Sequence, residues 1–483
     1  MLDMLIESIR NTGVIDFVFL VVFSLVLVCA NVYFFKKRKY VYLYIPCMLF
    51  LPYYYGIEFS ENFPLLTATR IMTIIFYVYA FFNRKRTLKS LDFKKFDKKY
   101  LLIAAYFFLR IVSNMYYIST YSQAVKTIIM IVAEQMLLLI GVYILAPSKE
   151  IINNIIRAVV GTATVFFVVG IFESISYCRI FDSLYSVSRT MLNIVYVRLG
   201  LLRATTTFAM PGIYGNMCIL VLPLILYLYE ISRSKKYLIV IGLDFLAAVH
   251  SGSRSDIFFF FFIMIVYVIV VLKNKERRIH FFKNAALICI LVAGYMFVAG
   301  VCSPYLKYFY VGSIKSVLNE FGFDFDLSEG APEGVTGFGS NPEGTTSRAR
   351  QLSGIYYTAR INPLFGLGSG AQNRGDVRYS WHGGWHLVKS YDLGIVEIFC
   401  DEGLCGLIGV CSILLFMALK SKKKEFSKLL IFSYILSTIS TANMYDFLML
   451  FVIIIAASDM NYKADTKKLI NAQINERFLE KNI

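Results

Sequence analysis

From Val14 to Ala457 the chain is a series of apolar runs, many of them about 18 to 25 residues long, the length that carries a helix across roughly 30 Å of hydrocarbon. Inside a bilayer every backbone N–H and C=O needs a partner within the protein, so such runs have to be helices. The composition agrees: 58% of residues are apolar and the mean hydropathy is +0.62. One polytopic unit is expected, not several soluble domains. The first run lacks a small-residue cleavage site and is followed by Lys36-Lys37-Arg38-Lys39, so it is expected to stay as a span.

The net charge of +17 arises from short linkers between the runs. Basic linkers mark the cytoplasmic side, and no basic stripe stands on a soluble domain, so nucleic acid is not an expected partner. This bias gives spans near 14–35, 41–57, 67–83, 101–118, 125–146, 157–177, 213–231, 237–250, 256–272, 284–302 and 394–418. The last apolar stretch, 429–457, is interrupted by Asn443, Tyr445 and Asp446, and reads as two short spans. The expected fold is an all-α polytopic membrane protein with about 12 to 13 transmembrane helices and one long, partly helical external loop. It divides into a bundle (1–303), the external loop (304–393), C-terminal spans (394–458) and a cytoplasmic tail (459–483).

The loop 304–393 balances eight Lys and Arg against eight Asp and Glu, so the excess positive charge lies on the other side. Residues 322–344 are rich in Gly and acids and read as mobile loop. Residues 346–361 read as a helix with Leu352, Ile355 and Tyr356 on one face, stopped by Pro363 and Gly366. Within the spans, Asp16, Arg110, Glu134, Glu173 and Asp244 are costly in a bilayer and are expected to face the interior, with Arg110 and Glu134 a plausible pair. The nine cysteines show neither a disulfide framework nor a His/Cys metal pattern, and no nucleotide motif is present. Neither cofactor nor metal is expected.

Four segments carry the polar chemistry, and all four fall on the external side. They are Leu202–Met217 (LRATTTFAMPGIYGNM), Ser251–Asp256 (SGSRSD), the run from Thr345 through Asn362-Pro363-Leu364-Phe365-Gly366-Leu367-Gly368-Ser369-Gly370, and Tyr391–Gly406. Arg203 precedes Thr207-Phe208 and Pro211; Ser253-Arg254 ends a span; Arg348 stands fifteen residues before Pro363; Asp392 leads to Glu402, Gly403 and Gly406. Together these resemble the bacterial O-antigen ligase and polysaccharide polymerase superfamily, over about 203–409. The resemblance implies a glycosyltransferase of the external face of the cytoplasmic membrane. Its donor would be a glycan on polyprenyl diphosphate, its acceptor a hydroxyl, and other assembly proteins, such as a flippase and a chain-length regulator, its partners. Where ligases of the family often carry His this chain has Asp392, followed by Leu393 and not Asn, which favours polymerisation over ligation.

The residues suit such chemistry on their own terms. Arginine offers a planar fork of donors and stays charged, so Arg203, Arg254 and Arg348, from three segments, could hold a diphosphate and stabilise charge on the leaving group. A general base is open among Asp392, His386 and His382. Trp381, Trp385 and Tyr391 could stack on sugar rings or belong to an interfacial aromatic belt. Gly366, Gly368 and Gly370 could form an anion nest or only a turn. The rival of another class is a lipid-linked oligosaccharide flippase, against which the long, arginine-bearing loop argues.

Overall fold

A computed structural model describes residues 13–58, 65–85, 97–187, 192, 194–272, 275–335, 343–388, 391–421, 425–441 and 443–457, without the side chains of residues 276, 277, 280 and 343–349. The elements in chain order are α1 (Val14–Lys36), α2 (Val41–Phe50), β1 (Gly56–Ile57), β2 (Leu66–Thr67), α3 (Ala68–Phe82), α4 (Tyr100–Met115), α5 (Ser122–Leu145) and α6 (Lys149–Ser176). After β3 (Val197–Arg198) and β4 (Leu201–Leu202) come α7 (Pro211–Ser232), α8 (Lys236–His250), α9 (Arg254–Val271), α10 (Lys275–Cys302) and α11 (Pro304–Asn319). The chain continues through α12 (Glu343–Ile361), α13 (Ala371–Arg374), β5 (Arg378–Trp381), β6 (Gly384–Leu387), α14 (Gly394–Lys420), α15 (Glu425–Ser440) and α16 (Tyr445–Ala457).

Among the described residues, every expected span contains a helix. Seven of them (α1, α5, α6, α7, α9, the Phe281–Cys302 part of α10, and α14) are long and apolar enough to cross a membrane, and α2, α3, α4 and α16 are shorter apolar helices. The protein is a helical membrane protein. Its lipid-facing residues are as apolar as its core: Phe82, Ile269, Phe297 and Val301 are all exposed, and no residue of α1 is buried. The core is centred on α7, which is apolar nearly all round and buried without a break from Tyr214 to Leu226. Around it pack α6, α8, α9 and α15.

The expected run 41–57 ends as a helix at Phe50, and Gly56–Ile57 instead pairs antiparallel with Leu66–Thr67. The last apolar stretch does form two helices, α15 and α16, on either side of a turn. The helix ends that meet the chain 304–393 define one face of the bundle, called here the loop face.

The loop is more built than its composition suggests. It opens with α11, which doubles back beside α10 and buries Tyr308, Phe309 and Tyr310 against Leu199, Leu201, Val249 and Ile257. The chain after it is held down: Asn319 exchanges two hydrogen bonds with Phe325, and the Tyr308 hydroxyl donates to the Leu327 carbonyl. Between 322 and 335 Leu327 is buried and most other residues are exposed; the stretch from 336 to 342 lies outside the described residues. The helix near 346–361 is present as α12, with a different inner face. Gln351, Gly354 and Thr358 are buried, whereas Leu352 and Tyr356 are exposed.

Four of the five in-span charges find partners that the spacing did not give, whereas both carboxylate oxygens of the buried Asp244 lack a hydrogen-bond partner among the described residues. Glu134 lies in a π-helical turn of α5 (Ile131–Met136) and pairs with Arg70 at 2.5 Å, not with Arg110. The wider turn aims Glu134 at α3, and only its neighbour Gln135 reaches Arg110. Glu173 accepts from the Thr205 and Thr206 amides and the Thr205 hydroxyl at 2.8–3.0 Å, so the Thr-Thr-Thr segment serves as its cap. Asp16 accepts from Ser183 at 3.1 Å. All nine cysteines are free.

Candidate active site on the loop face

The site is built on a break in a membrane helix. Gly403 interrupts α14 with φ +64° and ψ −154°, a conformation open almost only to glycine. A broken helix leaves amides and carbonyls without intrahelical partners, and in a bilayer these have to be satisfied. The segment 363–370 does so. Leu404 and Cys405 donate to the carbonyls of Pro363 and Leu364 at 2.9 and 3.1 Å, and the carbonyls of Cys400 and Asp401 accept from Leu367 and Gly368 at 2.7 and 3.0 Å. The two backbones touch. A Cβ on Gly403 would lie 2.5 Å from the Gly366 nitrogen, and one on Gly366 would lie 2.7 Å from the Cys400 carbonyl. The Gly370 amide donates to the Asp401 carboxylate at 2.9 Å. The Gly366 amide donates to the Asn362 carbonyl at 3.1 Å, so all three amides considered for an anion nest are taken by the chain itself, and the glycines serve this close approach.

The loop is also stitched to α4. Ser113 donates to the carbonyls of Phe365 and Glu402, Tyr117 to that of Gly366, and Ser369 to Asn114. Arg374 wraps the carbonyls of Leu367, Gly368 and Ser369, pairs with Asp376 and lies 3.8 Å over the Tyr121 ring. Directly beside the break, Arg110 and Glu402 form a two-pronged pair, both contacts 2.8 Å, with side chains only 4% exposed. Tyr106, Gln135 and Asn114 complete the hydrogen bonding, and the Tyr445 ring lies 4.2 Å from the guanidinium carbon. At the far end of the same helix pair Lys420 reaches Asp97 at 2.7 Å. Hence α4, α14 and the loop form one clamped unit.

This clamp sets the position of Asp392. It sits just before α14, where the Gln351 side chain grips it twice: the Gln351 amide donates to its carboxylate at 3.0 Å and its own backbone N–H donates back at 2.9 Å. Gln351 is one helical turn after Arg348 on α12, so the backbone places Arg348 and Asp392 about the same stretch; the Arg348 side chain lies outside the described residues. Tyr391 turns its hydroxyl inward to Asp401 at 2.9 Å. Burial and that carboxylate push its phenol well above the usual range.

A second group gathers where β3–β4 meets the turn between α8 and α9. Arg203 donates to the Ser251 carbonyl at 2.8 Å, and its side chain lies against Gly252, which has φ +63°. Arg198 donates to the Gly252 carbonyl and to Ser316 at 2.6 and 2.8 Å. Arg254, the first residue of α9, pairs with Glu320 at 2.6 Å, both side chains about one-quarter exposed.

The turn after α15 joins the two groups. Ser440 contacts Ser255 at 3.1 Å and donates to Asp256 at 2.6 Å, while Asn443 bonds Glu397 and the Gly394 carbonyl. Arg254 and Asp392 therefore flank elements held by a single turn. Arg203 and Arg254 meet through the Ser251–Arg254 segment, Arg203 by its bond to the Ser251 carbonyl.

His382 and His386 are elsewhere. Both lie on the β5–β6 hairpin, in ring contact with Trp381 at 4.8 and 5.5 Å. Trp385 meets Tyr357 of α12 at 5.2 Å, and the hairpin is pinned by the Ser380 amide donating to Ser353. Arg350 stacks over Trp381 at 4.7 Å. Sequence reasoning missed Gln351, Glu320, Arg198 and the pairing of Glu402. Of these only Glu402 carried a signal, as an acid within an apolar run. Compared with known families, the chain matches no family model, and a comparison with curated proteins finds no match.

Proposed function

We propose that the protein is a membrane glycosyltransferase that polymerises glycan repeat units carried on polyprenyl diphosphate. In this reading the acceptor hydroxyl attacks the anomeric carbon of the donor sugar. The C–O bond to the diphosphate breaks, and the hydroxyl proton passes to the Asp392 carboxylate. Arg254 and Arg203 take the diphosphate, which displaces Glu320 from Arg254, with Arg348 as the third cation. The observation that carries the reading is this one: a carboxylate gripped by Gln351 and two arginines at the α8–α9 turn, Arg254 opening α9 and Arg203 bonded to Ser251, lie at the same end of the bundle, linked by the end of α15 and the turn after it. The depth also suits the chemistry, because helix ends meet a bilayer where lipid phosphates lie. Trp381 and Trp385 on the hairpin are the glycan contacts of this reading, whereas the hydroxyl of Tyr391 is committed to Asp401.

Purified protein in nanodiscs, given a polyprenyl-diphosphate oligosaccharide, should release polyprenyl diphosphate and lengthen the glycan in steps. Absence of both products, with folded protein and intact donor, would refute the reading.

The same proposal places all thirteen helices of the expected topology in the cytoplasmic membrane, with the loop face outward. Glu329 is three-quarters exposed on that loop. Glu329→Cys, in a background lacking the native cysteines, should react with a membrane-impermeant maleimide in intact cells. Reaction only after permeabilisation would invert the topology.

A further inference from the structure

Among the described residues, an apolar groove of about 340 Å³ runs between α6, α8 and α10. Ile171, Leu246, Ile288, Leu291 and Tyr295 line it, and only Tyr295 brings a side-chain polar atom. Its rim residues Val168, Ile239 and Leu291 are exposed, so it opens sideways toward lipid. Gly242 forms the tight point. A Cβ there would stand 3.0 and 3.2 Å from methyls of Ile288 and Val292.

What lies above the groove gives it meaning. One turn beyond Ile171 on α6, Ser174 donates to the Leu202 carbonyl. One turn beyond Leu246 on α8, the His250 carbonyl accepts from the Ala204 amide, and the next carbonyl, of Ser251, accepts from Arg203. On the third wall Tyr295 packs on Tyr310, whose hydroxyl pairs with His250 at 3.1 Å. The strand Leu201–Leu202 and Arg203 therefore roof the groove, and Arg203 sets a positive charge where a chain lying in it would emerge.

We propose that this groove holds the head-proximal isoprene units of the lipid-linked donor's polyprenyl chain, with its diphosphate delivered to Arg203. The inference rests on the transferase reading for the identity of the chain. A polyprenyl diphosphate brings one hydrocarbon chain per anionic head, which suits a single groove beneath a single cluster of charge, whereas a phospholipid brings two. The sideways opening lets the chain enter from the bilayer without threading. In lipid the apolar walls give no hydrophobic drive, since tails are as apolar as the groove. The groove therefore selects by packing and aims the head, while the arginine supplies attraction.

The test is photolabelling of the full-length protein in nanodiscs with undecaprenyl diphosphate carrying a diazirine near its diphosphate end. Label is expected on peptides of α6, α8 and α10, displaced by unlabelled undecaprenyl diphosphate and not by phosphatidylglycerol. Leu246→Trp and Ile171→Trp, on different helices, should each remove the label. Each should also raise KM for the donor about fivefold or more. Label confined to other helices, or equal displacement by phosphatidylglycerol, would overturn the proposal. Should either variant fail to fold, the wild-type map and its competition still decide. Labelling does not need turnover, so the two readings fail separately. Label in the groove without glycan transfer supports the groove and removes the transferase reading; transfer without label there does the reverse.

Discussion

Glu402→Ala should loosen the external loop from the bundle and lower stability by about 3–5 kcal/mol, the cost of leaving one member of a buried ion pair alone. Arg110 would keep its charge beside Tyr106, Gln135 and the Tyr445 ring with no carboxylate to meet it. Arg110→Ala should cost about as much, and the double change Arg110→Met with Glu402→Met less than either alone, because no unpaired charge remains. Gly403→Ala attacks the same junction through the backbone, forcing a Cβ into the Leu364 carbonyl at a φ that L-residues avoid. Thermal unfolding in detergent measures the first effect. Protease cleavage within 363–370 in intact vesicles measures loop release. A wild-type melting temperature and a protected loop in both Glu402→Ala and Gly403→Ala would show that the helix break and its plug do not hold the loop.

Arg254→Ala should lower glycan transfer at least tenfold, since a charge-assisted hydrogen bond is worth about 1.5–3 kcal/mol. Lysine should rescue poorly, because a point charge does not reproduce the fork. The pair with Glu320 makes a sharper comparison possible. If Arg254 serves only to anchor the chain after α11, Glu320→Gln should harm the protein as much as Arg254→Ala. If Arg254 holds the diphosphate, Glu320→Gln should keep or raise donor affinity, because it removes the anion that competes for the guanidinium. Asp392→Asn keeps the shape that Gln351 grips and removes the proton acceptor, so turnover should fall steeply with donor binding retained. Polymer length in cells, normalised to protein level, and donor affinity in vitro are the readouts. Wild-type polymer from Arg254→Ala would dismiss the clamp. Wild-type polymer from Asp392→Asn would move the base to His386 or His382.

Much of the architecture was legible because a bilayer imposes a length and a hydropathy on whatever crosses it. The positions of the helices, the turn that splits 429–457 and the helix near 346–361 follow from that and from Pro and Gly punctuation. The four polar segments were legible as well, since polar residues between apolar runs have few places to go. What could not be read is which side of a helix meets protein. In a soluble domain the apolar stripe names the inner face, whereas in lipid both faces are apolar. Thus α1 and α7 read alike, yet α1 buries nothing and α7 is the centre of the core. On α12 the buried face is Gln351, Gly354 and Thr358, chosen by a carboxylate and a hairpin and not by its apolar residues. Arg110 finds Glu402 across 292 positions, and Arg254 finds Glu320 just after a helix that composition did not announce. Local sequence decides that a charge must be paired; only the lateral packing of helices, which hydropathy does not encode, decides with what.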